Sequence, residues 1–378
     1  MSNPTATSPP TGSPRAPEIS WFAGLCDDDY EFLGVPNPVL ASSWDHCRDI
    51  VLAADRNGFD NILLPSGYQL GIDAVAFTAG IAPLTSQIHL LLAVRMGEMW
   101  APQLARQLAT IDQMCQGRLT INIISSDLPG APLDSEPRYQ RTREYMRALR
   151  QLLHGEAVSM DGEFLDFDLD PPRIATVSGQ CPPMYFGGFS PAAKDTAAEH
   201  ADVFLTWPDT VGAVAKTVSE MQERSSRYGR RLRYGLRTHV VVRETEAEAR
   251  AAADRLVSKL DPDTGERIRN RSLDTQSAGV SRQNELRDDA DDDGFVEEGL
   301  WTGIGRARSG AGAAIVGDPD QVLAKLRAYQ AIGIDAFILS GYTLIGECDL
   351  FTRYVLPEIE HQPYKPTYEH SGVPAPQS

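Results

Sequence analysis

The sequence has no apolar run approaching the roughly 18 residues that a membrane-spanning helix needs. No membrane partner is therefore expected. Residues 1–17 contain no apolar stretch of the kind a secretory signal carries; they are rich in Pro, Ser and Thr and read as a disordered tail, as does the stretch 366–378. Cysteine is scarce and odd in number: Cys26, Cys47, Cys115, Cys181 and Cys348 are widely spaced, with no C-x-x-C. That excludes a disulfide framework and a zinc knuckle and makes a reducing cytoplasm the expected compartment. There is no H-E-x-x-H, no close histidine pair, no G-x-S-x-G and no Walker loop, so zinc-peptidase, serine-hydrolase and nucleotide-triphosphatase chemistry have no support. The acidic run Asp289–Gly294 imitates the start of a calcium loop, but Leu300 stands where the twelfth-position glutamate belongs. It reads as a solvated charge run, and no metal is expected.

Positive charge is also short: 35 Lys and Arg face 52 Asp and Glu, a net charge of -17. Such a surface repels nucleic-acid phosphate and anionic lipid, so nucleic acid is excluded as a partner. It also opposes small anions, so an anionic substrate would need cations placed locally.

What is present, between the tails, is an alternation. Eight β-like runs occur: Ile19–Ala23, Asn61–Pro65, His89–Val94, Leu119–Ser125, Pro183–Gly188, Asp202–Trp207, Arg233–Arg243 and Ala336–Gly341. Most are near-continuously apolar, as parallel strands covered on both faces are. Amphipathic helix patterns separate them: Ser43–Asn57, Pro102–Cys115, Pro137–Leu153, Pro191–Glu199, Val211–Tyr228, Glu246–Lys259 and Asp320–Ile332, several ending at a glycine. Strand and helix alternating in this way predict an α/β fold, a TIM (β/α)8 barrel over residues 18–365. A doubly wound sheet is the alternative, weakened by the absence of G-x-G-x-x-G after the first run. Residues 260–317 break the alternation. The stretch is charged, then Gly-rich, and reads as a partly helical insertion between strands seven and eight, ending in a mobile lid over the barrel mouth; a solvated surface excursion is the alternative.

In a barrel, chemistry sits just past the strand ends. Ser66, Tyr68 and Gln69 follow the second run; Arg95 follows the third; Asn122 and Ser125 end the fourth. Gly187, Gly188 and Ser190 end the fifth, Trp207 the sixth, and Tyr342 follows the eighth. Glycines after a strand with a serine opening a helix can form a phosphate cradle. They can equally form a tight turn in which Ser190 is an ordinary helix cap. Arg237 and His239 share strand parity and one face. They read either as an anion clamp with a neighbouring proton handler or as part of a structural ion pair. Trp207 is either a stacking wall or core.

The stretches LTWPDT, YGLRTHVVVRETEAEA, LWTGIGRARSGAGAAIVGDP and GIDAFILSGY closely resemble those of reduced-flavin-dependent alkanesulfonate monooxygenases, members of the bacterial luciferase-like flavin family. ARQLATIDQMCQGRLTINIIS and PPMYFGGFSPAA fit the same family, and the resemblance spans roughly residues 18–360. It implies a two-component monooxygenase: a separate NAD(P)H-dependent flavin reductase supplies reduced FMN, and with O2 the enzyme oxygenates an organosulfonate, cleaving the C–S bond to give sulfite and an aldehyde. It implies a homo-oligomer, dimer or tetramer. Residue by residue, Arg237 matches the family's substrate-site arginine, His239 the nearby histidine, Trp207 its tryptophan, Tyr342 the tyrosine after strand eight, and Arg308 the lid arginine. His239 is the candidate base, with Tyr342 or the flavin peroxide itself as alternatives. Asn122, Ser125, Tyr139 and Ser190 match positions lining FMN, with Gly187, Gly188 and Ser190 at its phosphate; Tyr139 can alternatively be a helix residue packing locally. Two departures bear on substrate. The loop PSGYQLGID, with Tyr68 and Gln69, lacks the family's cysteine, and Thr343-Leu344 replaces a common Pro-His. The added hydrogen-bonding groups suit a sugar sulfonate such as sulfoquinovose. Linear alkanesulfonates, a sulfone, alkane or amine substrate, and a non-enzymatic flavin-binding role are the alternatives.

Overall fold

The computed structural model describes residues 15–67, 71–128, 130–270 and 277–365. Thirteen strands are present among them: β1 Glu18–Phe22, β2 Asn61–Leu64, β3 His89–Arg95, β4 Leu119–Ile124, β5 Val158–Asp161, β6 Asp166–Leu169, β7 Met184–Gly187, β8 Val203–Thr206, β9 Arg233–Val242, β10 Phe295–Glu297, β11 Leu300–Trp301, β12 Ala314–Gly317 and β13 Ala336–Ser340. The helices are α1 Trp44–Arg56, α2 Ala74–Ile81, α3 Ala101–Met114, α4 Ser135–Leu153, α5 Pro191–His200, α6 Val211–Ser226, α7 Glu246–Val257, α8 Pro262–Arg269, α9 Ala278–Asp288, α10 Pro319–Ala331 and α11 Leu344–Tyr354. Strands β1, β2, β3, β4, β7, β8, β9 and β13 pair in that order, all parallel, and β13 returns to β1. This is the closed eight-stranded barrel, and its strands are the eight predicted runs. Every residue of β1, β2 and β13 is buried, because side chains fill the barrel inside and helices cover it outside.

Three elements escape the sequence patterning. Helix α2 (AVAFTAGI) is apolar nearly all round, so it shows no helical period; Asp73 caps it by accepting from Ala76 N. Helix α11 does show one, burying Leu344, Glu347, Cys348 and Phe351 at helical spacing. The hairpin β5–β6 alternates buried Val158 and Met160 with exposed Ser159 and Asp161.

The insertion corrects one expectation. Its first part is helical, as α8 and α9. Its Gly-rich end is not simply a loose lid: β12 pairs antiparallel with β11, and parallel with the upper half of β9, from Ala314↔His239 to Gly317↔Val242. The run Ala-Ile-Val-Gly is a buried strand. Gly303 lies so close under the Trp301 indole that a Cβ there would overlap it. Gly303–Arg306 form a short 3-10 turn, and residues 307–313, with Arg308, remain irregular between these anchors.

Asp55, buried at the end of α1, ties helix to barrel. Its carboxylate accepts from the N–H groups of Ser86, Gln87 and Ile88 and from the Ser86 hydroxyl at 2.8–3.0 Å. Burial alone would raise its pKa, but the bonds from Ile88, Gln87 and Ser86 outweigh that and hold it below the usual value. The stabilisation is thus complete above the unfolded carboxyl's pKa, near 3.9, and is lost as pH falls through the lower folded value. Asp55→Ala is expected to cost about 2–3 kcal/mol in urea unfolding at pH 7, since one buried and two partly buried N–H groups lose their acceptor. The difference from wild type should shrink towards pH 3.

Candidate active site

At the C-terminal ends of the barrel strands lies a cavity of about 600 Å³. That is the range of cofactor and small-molecule sites, about 300–1,000 Å³. Asn122 and Ser125 from the end of β4, Tyr139 from α4, Gly187 from β7, Gly188 and Ser190 before α5, Trp207 after β8, Arg237 from β9 and Arg308 from the insertion all line it. His239 and Tyr342 do not, and Tyr68 and Gln69 lie outside the described residues. Their neighbours Ser66 and Gly67 reach the cavity.

One end is formed by the turn between β7 and α5. Ser190 caps α5, accepting from Ala193 N at 3.2 Å, and Pro191 opens that helix. Ser190 is thus the helix cap that one of the two sequence readings expected. A Cβ on Gly187 would overlap the Leu205 carbonyl, and one on Gly188 would press on Ala193. The turn can approach a ligand because neither residue carries a side chain. Arg138 adds a guanidinium whose buried Nε has no hydrogen-bond partner.

The other end holds two more arginines. Arg237 is 5% exposed and donates to the Thr238 carbonyl at 2.5 Å and to Ser340 Oγ at 2.8 Å. No carboxylate of the described residues pairs with it within 4.0 Å. Its guanidinium lies over the Phe22 ring, 4.5 Å from the centroid, and Arg308 lies over the same ring at 5.3 Å. Burial, and then the Arg308 charge, push the Arg237 pKa well below its usual value. Arg308 is docked rather than splayed into solvent: it donates to Tyr342 Oη at 2.8 Å and stands 3.8 Å from Asp27 Oδ2. Burial opposes its charge, but Tyr342, Asp27 and Cys26 favour it more, and its pKa is raised. Burial keeps the Tyr342 phenol neutral by raising its pKa despite Arg308.

His239 departs from its expected role. It shares the inward face with Arg237 but lies one layer higher, where Tyr342 stacks over it at 5.6 Å and 19°. Nδ1 lies 2.8 Å from Ser340 Oγ and Nε2 3.1 Å from the Ala311 carbonyl. Both ring nitrogens are engaged by protein, and burial, with the Arg237 and Arg308 charges, holds its pKa well below the ordinary value. The imidazole is a buried neutral link and has no nitrogen turned to the cavity.

Trp207 forms part of the wall with Phe189, ring centroids 5.9 Å apart. Gly279 of α9 leaves room for both: a Cβ there would come within 2.8 Å of Trp207 and 2.9 Å of Phe189. The insertion thus closes one side of the cavity with the N-terminus of α9 and another with Arg308. Sequence reasoning missed Cys26 and Asp27, which follow β1 and line the cavity beside Arg308. The strand-end rule would have found them had it been applied to the first strand. Burial pushes the Cys26 thiol up to about 11, so it stays protonated at neutral pH. None of the five cysteines is disulfide-bonded.

Comparison with known proteins places this geometry. A family model described as luciferase-like monooxygenase matches residues 32–336. The chain is 62% identical over 353 residues to a sulfoquinovose monooxygenase of Novosphingobium aromaticivorans, covering 92% of this chain and 98% of that one. It is 50% identical over 348 residues to a sulfoquinovose monooxygenase of Agrobacterium fabrum, covering 91% and 90%. Among solved structures, a riboflavin lyase crystallised with modified FMN and riboflavin aligns with a TM-score of 0.75 at 14% identity, covering 93% of this chain and 94% of that one.

Proposed function

The chain belongs to the luciferase-like monooxygenase family, and on that premise we propose that it oxygenates sulfoquinovose, cleaving the C–S bond to release sulfite and an aldehyde. The observation that carries this reading is Arg237: a buried guanidinium at the cavity wall without a carboxylate partner among the described residues. A buried charge without a counter-charge is costly, and a substrate anion removes that cost. A sulfonate presents three acceptor oxygens to the guanidinium forks of Arg237 and Arg308. A neutral sulfone, alkane or amine would leave Arg237 uncompensated. The names of the two relatives support the sugar sulfonate.

FMN fits the opposite end. Arg138 with its unpartnered Nε, Tyr139, Ser190 and the Gly187-Gly188 turn at the N-terminus of α5 would hold its phosphate, and Asn122 and Ser125 would line the ring side. Reduced FMN, when bound, supplies the electrons that activate O2. The chain's own contribution is placement and exclusion. Arg237 fixes the sulfonate, Arg308 closes over it and neutralises negative charge beside Phe22, and the Trp207–Phe189 wall keeps water out. His239, with both nitrogens committed, positions its neighbours instead of taking a proton. A separate NAD(P)H-dependent flavin reductase, a homo-oligomeric state and a cytoplasmic location complete the proposal; the unbridged cysteines support the last. Among the described residues no helix is long and apolar enough to cross a membrane.

The test is sulfite release from protein mixed with FMN, NADH, a generic flavin reductase and O2. Parallel reactions contain sulfoquinovose, a mid-length alkanesulfonate, methanesulfonate or no sulfonate. Sulfite is expected with sulfoquinovose above all. Release from the alkanesulfonate alone would refute the sugar reading, and no release from any, by folded protein that binds reduced FMN, would refute desulfonation.

A further inference from the structure

We infer that Ser340 is a positioning residue that joins the anion-binding Arg237 to the segment carrying Arg308, acting through His239. The inference rests on the reading of Arg237 as the sulfonate site. It follows from the direction that each hydrogen bond must take. A guanidinium only donates, so Ser340 Oγ accepts from Arg237 Nη2 at 2.8 Å. The Ala311 carbonyl only accepts, so the His239 Nε2, 3.1 Å away, carries the proton. In the neutral imidazole Nδ1 is then an acceptor, and the Ser340 hydroxyl, 2.8 Å away, donates to it. The doubly protonated ring would leave the Ser340 proton without this acceptor. It would also place a third buried cation beside Arg237 and Arg308, the charged groups that face it together with the neutral phenol of Tyr342. One continuous chain therefore runs from Arg237 to Ser340 to His239 to Ala311, three residues beyond Arg308. A second tie returns through the Tyr342 ring stacked on His239 and its hydroxyl bonded to Arg308. An anion that draws Arg237 toward itself changes what Ser340 receives, and the change reaches the Arg308 segment along two routes. By linkage, seating that segment strengthens anion binding by the same factor.

The measurement is hydrogen exchange over residues 305–313 in anaerobic protein with reduced FMN, with and without saturating sulfoquinovose. The affinity is read separately from tryptophan fluorescence. Wild type should show sulfonate-dependent slowing of exchange. Ser340→Ala should weaken sulfonate binding about tenfold, as expected for loss of a hydrogen bond to a charged group, and should lose the slowing even at saturation. Ser340→Thr, which keeps a hydroxyl, should restore it. If Ser340→Ala does not fold, His239→Asn serves: its side-chain oxygen can still accept from Ser340, but nothing reaches Ala311, and the slowing should again be lost. Slowing equal to wild type in these variants would overturn the inference. Nitrogen NMR of the His239 ring reads the chain without substrate: protonation at Nε2 and a bare Nδ1 are expected between pH 6 and 8. A proton on Nδ1 would equally overturn it. Failure of wild type to bind sulfoquinovose would instead strike the functional reading, leaving the tautomer result to judge the chain itself.

Discussion

Arg237→Met is expected to lower kcat/KM for sulfite release by about 10²–10⁴-fold. Methionine keeps much of the bulk and removes the charge. Breaking a buried charge pair by deleting one partner typically costs about 3–5 kcal/mol, and each 1.36 kcal/mol is tenfold in rate. The loss should fall on both sulfonate affinity and turnover, because the arginine meets the substrate before and during reaction. The free protein should respond in the opposite sense. Arg237 is buried without a carboxylate partner among the described residues, so a neutral side chain of similar length should leave the melting temperature unchanged or raise it. A variant that is folded, stable and unable to bind sulfonate would separate a substrate-binding charge from a structural one. Near-normal kcat/KM would show that the anion is held elsewhere. Arg237→Lys should recover little, since an ammonium lacks the planar fork and cannot span both Ser340 and a sulfonate oxygen.

The barrel was legible because its physical cause is local. A parallel strand covered on both faces must be apolar along its length, and eight such runs stand out against the charged helices. Most of the cavity was legible for the same reason: once strand ends were located, Asn122, Ser125, Gly187, Trp207 and Arg237 followed from their positions. Depth was not legible. Period-two parity places Arg237 and His239 on one face, correctly, but only the Tyr342 ring and the Ala311 carbonyl, from segments far along the chain, decide that one lines the cavity and the other is walled off. Helix α2 was hidden by being apolar all round. The strand Ala314–Gly317 was hidden by the glycines before it, which made a buried β-strand look like the tail of a loop. Asp27 was in plain view after β1, but a carboxylate argues against an anion site until its neighbour Arg308 is seen.

Arg308→Ala is expected to lower turnover by about 10²–10³-fold, the usual loss when one preorganised donor to developing negative charge is removed. The fold should survive. The Arg308 side chain touches Tyr342, the Phe22 ring and the region of Asp27, while the segment is anchored independently by β12 on β9 and by the Trp301–Gly303 packing. The stronger expectation concerns stoichiometry. If Arg308 both neutralises charge and closes the cavity, its removal should let water reach the reaction, and O2 consumption should outrun sulfite production. Wild type should release close to one sulfite per O2 at saturating sulfonate, and the variant a small fraction. Arg308→Lys should distinguish the two duties. It keeps a positive charge near Phe22 but loses the guanidinium geometry that reaches Tyr342, so it should recover turnover more than coupling. If Arg308→Ala slows the reaction yet keeps sulfite matched to O2, the arginine contributes charge alone, and the exclusion of water belongs to Trp207, Phe189 and the N-terminus of α9.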